Sequence, residues 1–88
     1  MTVSEIAVWM QAKLELEGCL YQEDAVDYLV KQNLEAFLVE NSDGNLSLSR
    51  GVLNAFRKLN DRSVVWVKPD KYWRHRVPED EDGREARG

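Results

Sequence analysis

From Pro78 onward nothing apolar remains except Ala86. Any hydrophobic core must therefore be assembled from residues 1–77. That is a tight constraint, because a domain of this size buries only about 60–65% of the surface its unfolded chain exposes. It leaves room for one domain and excludes a doubly wound sheet or an α/β barrel. Residues 78–88, with Glu79-Asp80-Glu81-Asp82 and a Gly/Arg ending, read as an acidic, solvated, disordered tail. The apolar share of 43% against 32% charged residues is ordinary for a folded domain, so the remaining residues are expected to fold.

The pattern within 1–77 predicts α+β: three helices with one or two small antiparallel β-hairpins. Thr2 followed by Glu5 is a capping-box signal, and Val3, Ile6, Ala7, Met10 and Leu14 recur at helical spacing. Trp9 and Leu16 widen that apolar face, and Gly18 suits a left-handed stop. Cys19-Leu20-Tyr21 is long enough only for a brief extended bridge. A second helix over 22–32 carries Glu23 and Asp24 in its first turn, where the helix dipole favours them, and Ala25, Val26, Leu29 and Val30 on its inner face. Asn33 suits the left-handed stop that ends it.

Asp43-Gly44 between Phe37–Glu40 and Asn45–Ser49 signals a hairpin with Leu46 and Leu48 on one face; the rival is a helix from Leu34 to Glu40. Ser49 can cap a third helix over 50–60, with Val52, Leu53, Phe56 and Leu59 inward. Val64–Val67 is the best strand candidate. Residues 70–76 either return as a second strand or start a short helix at Pro69.

Charge along the chain is strongly segregated. Residues 1–44 hold two lysines against nine acids, a net −7; residues 45–77 hold eight basic side chains against two acids, +6; residues 78–88 carry −3. The total of −4 conceals this split, which points to a charged partner unless the two halves neutralise each other within the fold.

Catalysis is not expected. His75 is the sole histidine and Cys19 the sole cysteine, on unrelated elements, with no third group to orient them. One thiol and one imidazole do not make a zinc site, and the five glycines are too scattered for a phosphate-cradling loop. No cofactor, metal or specific small molecule is expected. A lone cysteine fits a reducing compartment. The start of the chain does not read as a signal peptide, and no apolar run reaches the roughly 20 residues a membrane helix needs. The expected location is cytoplasmic.

The basic segment is where a partner would bind. Its candidate residues are Arg50, Arg57, Lys58, Arg62, Lys68, Lys71, Tyr72, Trp73, Arg74 and Arg76. Basic side chains engage phosphates and aromatic rings stack on bases. The competing structural reading packs Trp66 and Trp73 on the core and pairs the arginines with acids.

Trp9-Met10, Gly18–Val26, Gly44-Asn45-Leu46, Val52-Leu53, Phe56–Leu59, Val64-Val65-Trp66 and Tyr72-Trp73-Arg74 resemble, across residues 6–76, a family of small bacterial proteins of unknown function. That resemblance implies a compact cytosolic bacterial domain and brings no activity. The order of elements is also loosely similar to winged-helix domains, although the Asp43-Gly44 hairpin interrupts the simple winged-helix order. The expectation is a non-catalytic module that binds a protein partner or itself through complementary acidic and basic surfaces. Nucleic-acid binding by the 50–76 region is the alternative.

Overall fold

The computed structural model describes residues 1–80 and 83–86, with no account of the side chains of residues 85 and 86. Helix α1 spans Val3–Glu17, strand β1 Cys19–Tyr21 and helix α2 Gln22–Lys31. A short 3-10 turn, Glu35–Phe37, leads into strand β2, Leu38–Glu40, and its partner β3, Leu46–Leu48. Helix α3, Arg50–Asn60, precedes β4, Val64–Val67, β5, Tyr72–His75, and the two-residue β6, Glu85–Ala86. The protein is α+β, as the sequence pattern predicts. The disputed stretch 34–40 divides between the two expectations, a helical turn followed by a strand, and the segment after Pro69 returns as a strand.

The local signals act where the sequence places them. Thr2 Oγ1 accepts from the Glu5 N–H while Glu5 accepts from the Thr2 N–H, completing the capping box. Gly18 ends α1 at φ 82°, a left-handed conformation that costs a residue with a Cβ more than glycine. Asn33 sits at φ 59° just past α2. Ser49 caps α3 through the Val52 N–H.

The first sheet has the order β1-β5-β4-β6. Cys19–Tyr21 lies antiparallel to β5, with Leu20 opposite Trp73, and β4 lies antiparallel on β5's other edge, with Trp66 opposite Trp73. The second sheet is the β2–β3 hairpin, with Leu38 opposite Leu48. Helix α1 packs on α3, and Ile6, Met10, Leu14, Val52 and Phe56 close the core against Leu20, Val64 and Trp73. The ring of Trp9 stacks on Tyr28 of α2 at 3.9 Å, joining the first two helices at their flank.

Four apolar side chains depart from the expected core. Leu16 is 80% exposed, so the inner face of α1 is narrower than the sequence suggests. Val30, Leu46 and Leu59 are also exposed. Periodicity aims them to one side of their elements, but the described residues cover that side incompletely.

Asp80 and residues 84–86, read from sequence as tail, lie against the first sheet. Strand β6 is parallel to β4, and Asp80 engages Arg74. Backbone pairing needs no apolar side chains, which is why composition gives no sign of it.

Candidate functional surfaces

The structure divides the candidate basic residues among several surfaces. Arg50 and Lys58 lie exposed on α3, and Lys68 is exposed in the β4–β5 turn. Lys71, at φ 54°, sits at the end of that turn, where its carbonyl accepts from the Gln22 N–H at 2.9 Å. Tyr72 packs against Tyr21 with ring centroids 5.0 Å apart. Trp73 is 3% exposed and belongs to the core, edge-on to Phe56 at 5.2 Å.

Arg74 lies on the face opposite Trp73 by strand alternation. There it makes a two-pronged contact with Asp80, at 2.9 and 2.8 Å. Asp80 also accepts the Val77 N–H at 2.9 Å. These contacts, the Arg74 side chain first, hold the Asp80 carboxyl well below the usual carboxylate range, at about 2. Because the folded value is depressed, this attachment contributes stability above the unfolded carboxylate value. That contribution is lost as pH falls from about 4 toward 2. Faster amide exchange at Val77 and a shifted Arg74 Nη resonance between those pH values are the expected result. Asp80→Asn should produce the same changes at neutral pH. A Val77 amide with unchanged protection across that range would rule out the attachment.

Arg57, Arg62 and Arg76 do come together. With Arg84 they line a cavity of about 420 Å³ in which Asp61 is the one acid among the described residues. Arg57 Nε donates to Asp61 Oδ1 at 2.7 Å and lowers that carboxyl's pKa. Arg76 Nε donates to the Arg62 carbonyl at 3.2 Å, and its Nη2 to the Gly83 carbonyl. Arg84 Nη1 donates to the carbonyls of Asn60 and Val64, each at 3.2 Å, and Nη2 to Asn60 Oδ1 at 2.8 Å. Burial lowers the Arg84 pKa, with the positive charges of Arg57 and Arg76 adding to the effect and Asp61 opposing it. The sequence reading missed Arg84 because it stands in an acidic stretch; only its return beside β4 places it here.

A neighbouring cavity of about 380 Å³ lies between α3 and the sheet and shares Arg57 and Arg84 with the first. Phe56, Trp66 and Trp73 provide aromatic walls, and Gln22 and Asn54 provide polar groups. Trp66 is half-buried and contacts Trp73 at 4.6 Å.

The third surface is acidic. A groove of about 670 Å³ runs between α2, the β2–β3 hairpin and the β4–β5 turn. Tyr21, Val26, Val30 and Leu46 give it apolar walls; Glu23, Asp27 and Asp70 rim it, with Lys71 the one basic side chain.

Among the described residues the ion pairs Lys13–Glu17, Lys31–Asp27, Arg57–Asp61 and Arg74–Asp80 each join near neighbours in sequence. Among the described residues no cluster of three or more His, Cys, Asp or Glu side chains is placed to hold a metal ion. No helix among them is long and apolar enough to cross a membrane.

A small α+β domain is the class this geometry defines. The chain belongs to a family of unknown function (DUF6953), whose match covers residues 2–75. No curated protein and no solved structure matches it significantly. The matched region includes α1 through β5 and stops before Arg84.

Proposed function

We propose that the protein is a non-catalytic interaction module that pairs with a second copy of itself through complementary acidic and basic surfaces. The carrying observation is the acid-rimmed groove, where Tyr21, Val30 and Leu46 are left exposed together. Val30 and Leu46 belong to faces that the sequence pattern marks for burial. Exposed apolar side chains gathered at one site are a feature of partner surfaces. The chemical complement lies on the same chain, where α3 presents Arg50, Arg57 and Lys58, all exposed. Under two-fold symmetry each protomer would offer both surfaces, doubling the contact.

Light scattering across protein concentration tests this at low and high salt. The expected result is a dimer at low salt that dissociates as salt screens the charges. Leu46→Glu and Lys58→Glu should each shift the equilibrium to monomer. A strict monomer at every concentration and salt rules out the pairing.

A second reading, nucleic-acid binding by α3 and the β4–β5 hairpin, is favoured by one observation. The sheet places β1 beside β5 and β5 beside β4, directly after α3, as in the winged-helix order, with the β2–β3 hairpin inserted ahead of α3. It requires binding to duplex or single-stranded probes that weakens steeply as salt rises. No binding at low salt, with or without residues 78–88, removes it.

A further inference from the structure

Arg84 sits in a socket built by a distant part of the chain. Its Nη1 donates to the carbonyls of Asn60 and Val64, each at 3.2 Å, and its Nη2 to Asn60 Oδ1 at 2.8 Å. Its guanidinium carbon lies 6.0 Å from the centroid of the Phe56 ring. On the backbone, the Trp66 N–H donates to the Arg84 carbonyl at 2.6 Å, and β6 runs on parallel to β4. We propose that the β4 edge and this socket form a docking site for an extended, arginine-bearing segment of a partner protein. Residues 84–86 fill the site in cis until such a segment displaces them.

The socket is assembled by residues of the folded domain. Asn60 ends α3, where the helix dipole favours a cation. Its amide Nδ2 donates to Gln11 Oε1 of α1 at 2.7 Å, which turns Oδ1 toward the arginine. Several fixed oxygens suit the forked donors of a guanidinium better than the single point of an ammonium. Strand β4 is paired with β5 along one side, so its other side offers backbone groups to an aligned strand. Docking of this kind takes affinity from main-chain bonds and specificity from an anchoring side chain. The family match includes Phe56, Asn60, Val64 and Trp66 but ends at residue 75, so the socket lies inside the matched region and its occupant outside it.

The cis occupant is thinly held. Residues 85 and 86 pair with Trp66 and Val67, two of the four residues of β4. Glutamate and alanine are both poor strand formers. A partner segment with β-branched residues after its arginine gains what the tail lacks. The tail of a second copy gains nothing, because it has the same sequence. Asp80, bound to Arg74 and to the Val77 N–H, also tethers each tail beside its own edge.

The test uses the full chain with Arg84→Gln and Ala86→Pro, which remove the anchor and a strand donor but leave the socket unaltered. The probe is a labelled peptide of residues 83–88 carrying Glu85→Thr and Ala86→Val; a control peptide carries Arg84→Lys as well. Exchange of the Trp66 amide should quicken about tenfold or more in the double variant and slow again when the probe is added. The probe should bind that variant with a Kd below about 0.5 mM, and the lysine control about tenfold more weakly. Binding to the unmodified chain should also be about tenfold weaker, because the tethered tail competes. Thermal melting confirms that the double variant folds. In the unmodified chain, about 5 mM probe should still move the Arg84 Nε resonance, a reading that needs no variant. Light scattering should show the same oligomeric state for the unmodified chain and the double variant. The proposal is overturned if the probe leaves Trp66 exchange unchanged, if the lysine control binds equally well, or if the Arg84 resonance stays unmoved. It is also overturned if the double variant loses a self-association that the unmodified chain shows, which would assign the edge to a second copy's tail.

Discussion

Phe56→Ala is expected to cost about 3–5 kcal/mol of folding stability, the largest loss of any substitution considered for this chain. The side chain is fully buried on the inner stripe of α3, between Val52 and Asn60. Its ring meets Trp73 edge-on at 5.2 Å, and the Arg84 guanidinium carbon lies 6.0 Å from its centroid. Truncation removes the transfer free energy of the ring and leaves a hole between a helix and a sheet that are both fixed elsewhere. Part of the loss is the aromatic pair itself, about 0.5–1.5 kcal/mol. A domain of 88 residues has about 4–13 kcal/mol in total, so the variant should be near or past the edge of folding. Urea unfolding checks it: the midpoint should fall sharply, while Leu59→Ala on the same helix should cost under about 1 kcal/mol because Leu59 is 48% exposed. A loss under about 1.5 kcal/mol for Phe56→Ala would mean that α3 settles inward to fill the space.

Helix ends were the most legible part of this fold, because each is set by residues only a few positions apart. Thr2 with Glu5, Gly18, Asn33 and Ser49 all act within one turn of where they stand. Strand Val64–Val67 was legible for a similar reason, an unbroken run of β-forming side chains, whereas its return through Tyr72–His75 stayed open between a strand and a short helix from Pro69. Burial was less so. Helical or alternating spacing says which side of an element is apolar, yet it cannot say whether another element arrives to cover that side. Val30, Leu46 and Leu59 are the instances here, and the first two face a groove rather than a core.

The basic candidates show the same limit. Composition marked Arg57, Arg62, Arg74 and Arg76 alike, but Arg74 is paired with Asp80, which the chain brings back against it six residues later. The partnership of Arg84 with Asn60 spans 24 residues, and no local pattern encodes it.

Asn60→Ala is the second large effect, expected at about 2–4 kcal/mol. Asn60 is 3% exposed and is the buried polar side chain among the described residues. Its amide Nδ2 donates to Gln11 Oε1 of α1 at 2.7 Å, and its Oδ1 accepts from Arg84 Nη2 at 2.8 Å. One side chain thus joins the first helix, the third helix and the segment beside β4. Replacing it with a methyl group removes both hydrogen bonds and strands two partly buried partners, and stranding a buried polar group costs about 1–3 kcal/mol. The Arg84 share is at the low end, because that side chain is only half-buried and keeps its bonds to the Asn60 and Val64 carbonyls. A double-mutant cycle between Asn60→Ala and Gln11→Ala should show coupling of about 1 kcal/mol, since the second substitution removes a group already left without its partner. Loss under about 0.5 kcal/mol for Asn60→Ala, or no coupling, would mean that water replaces the amide at both contacts.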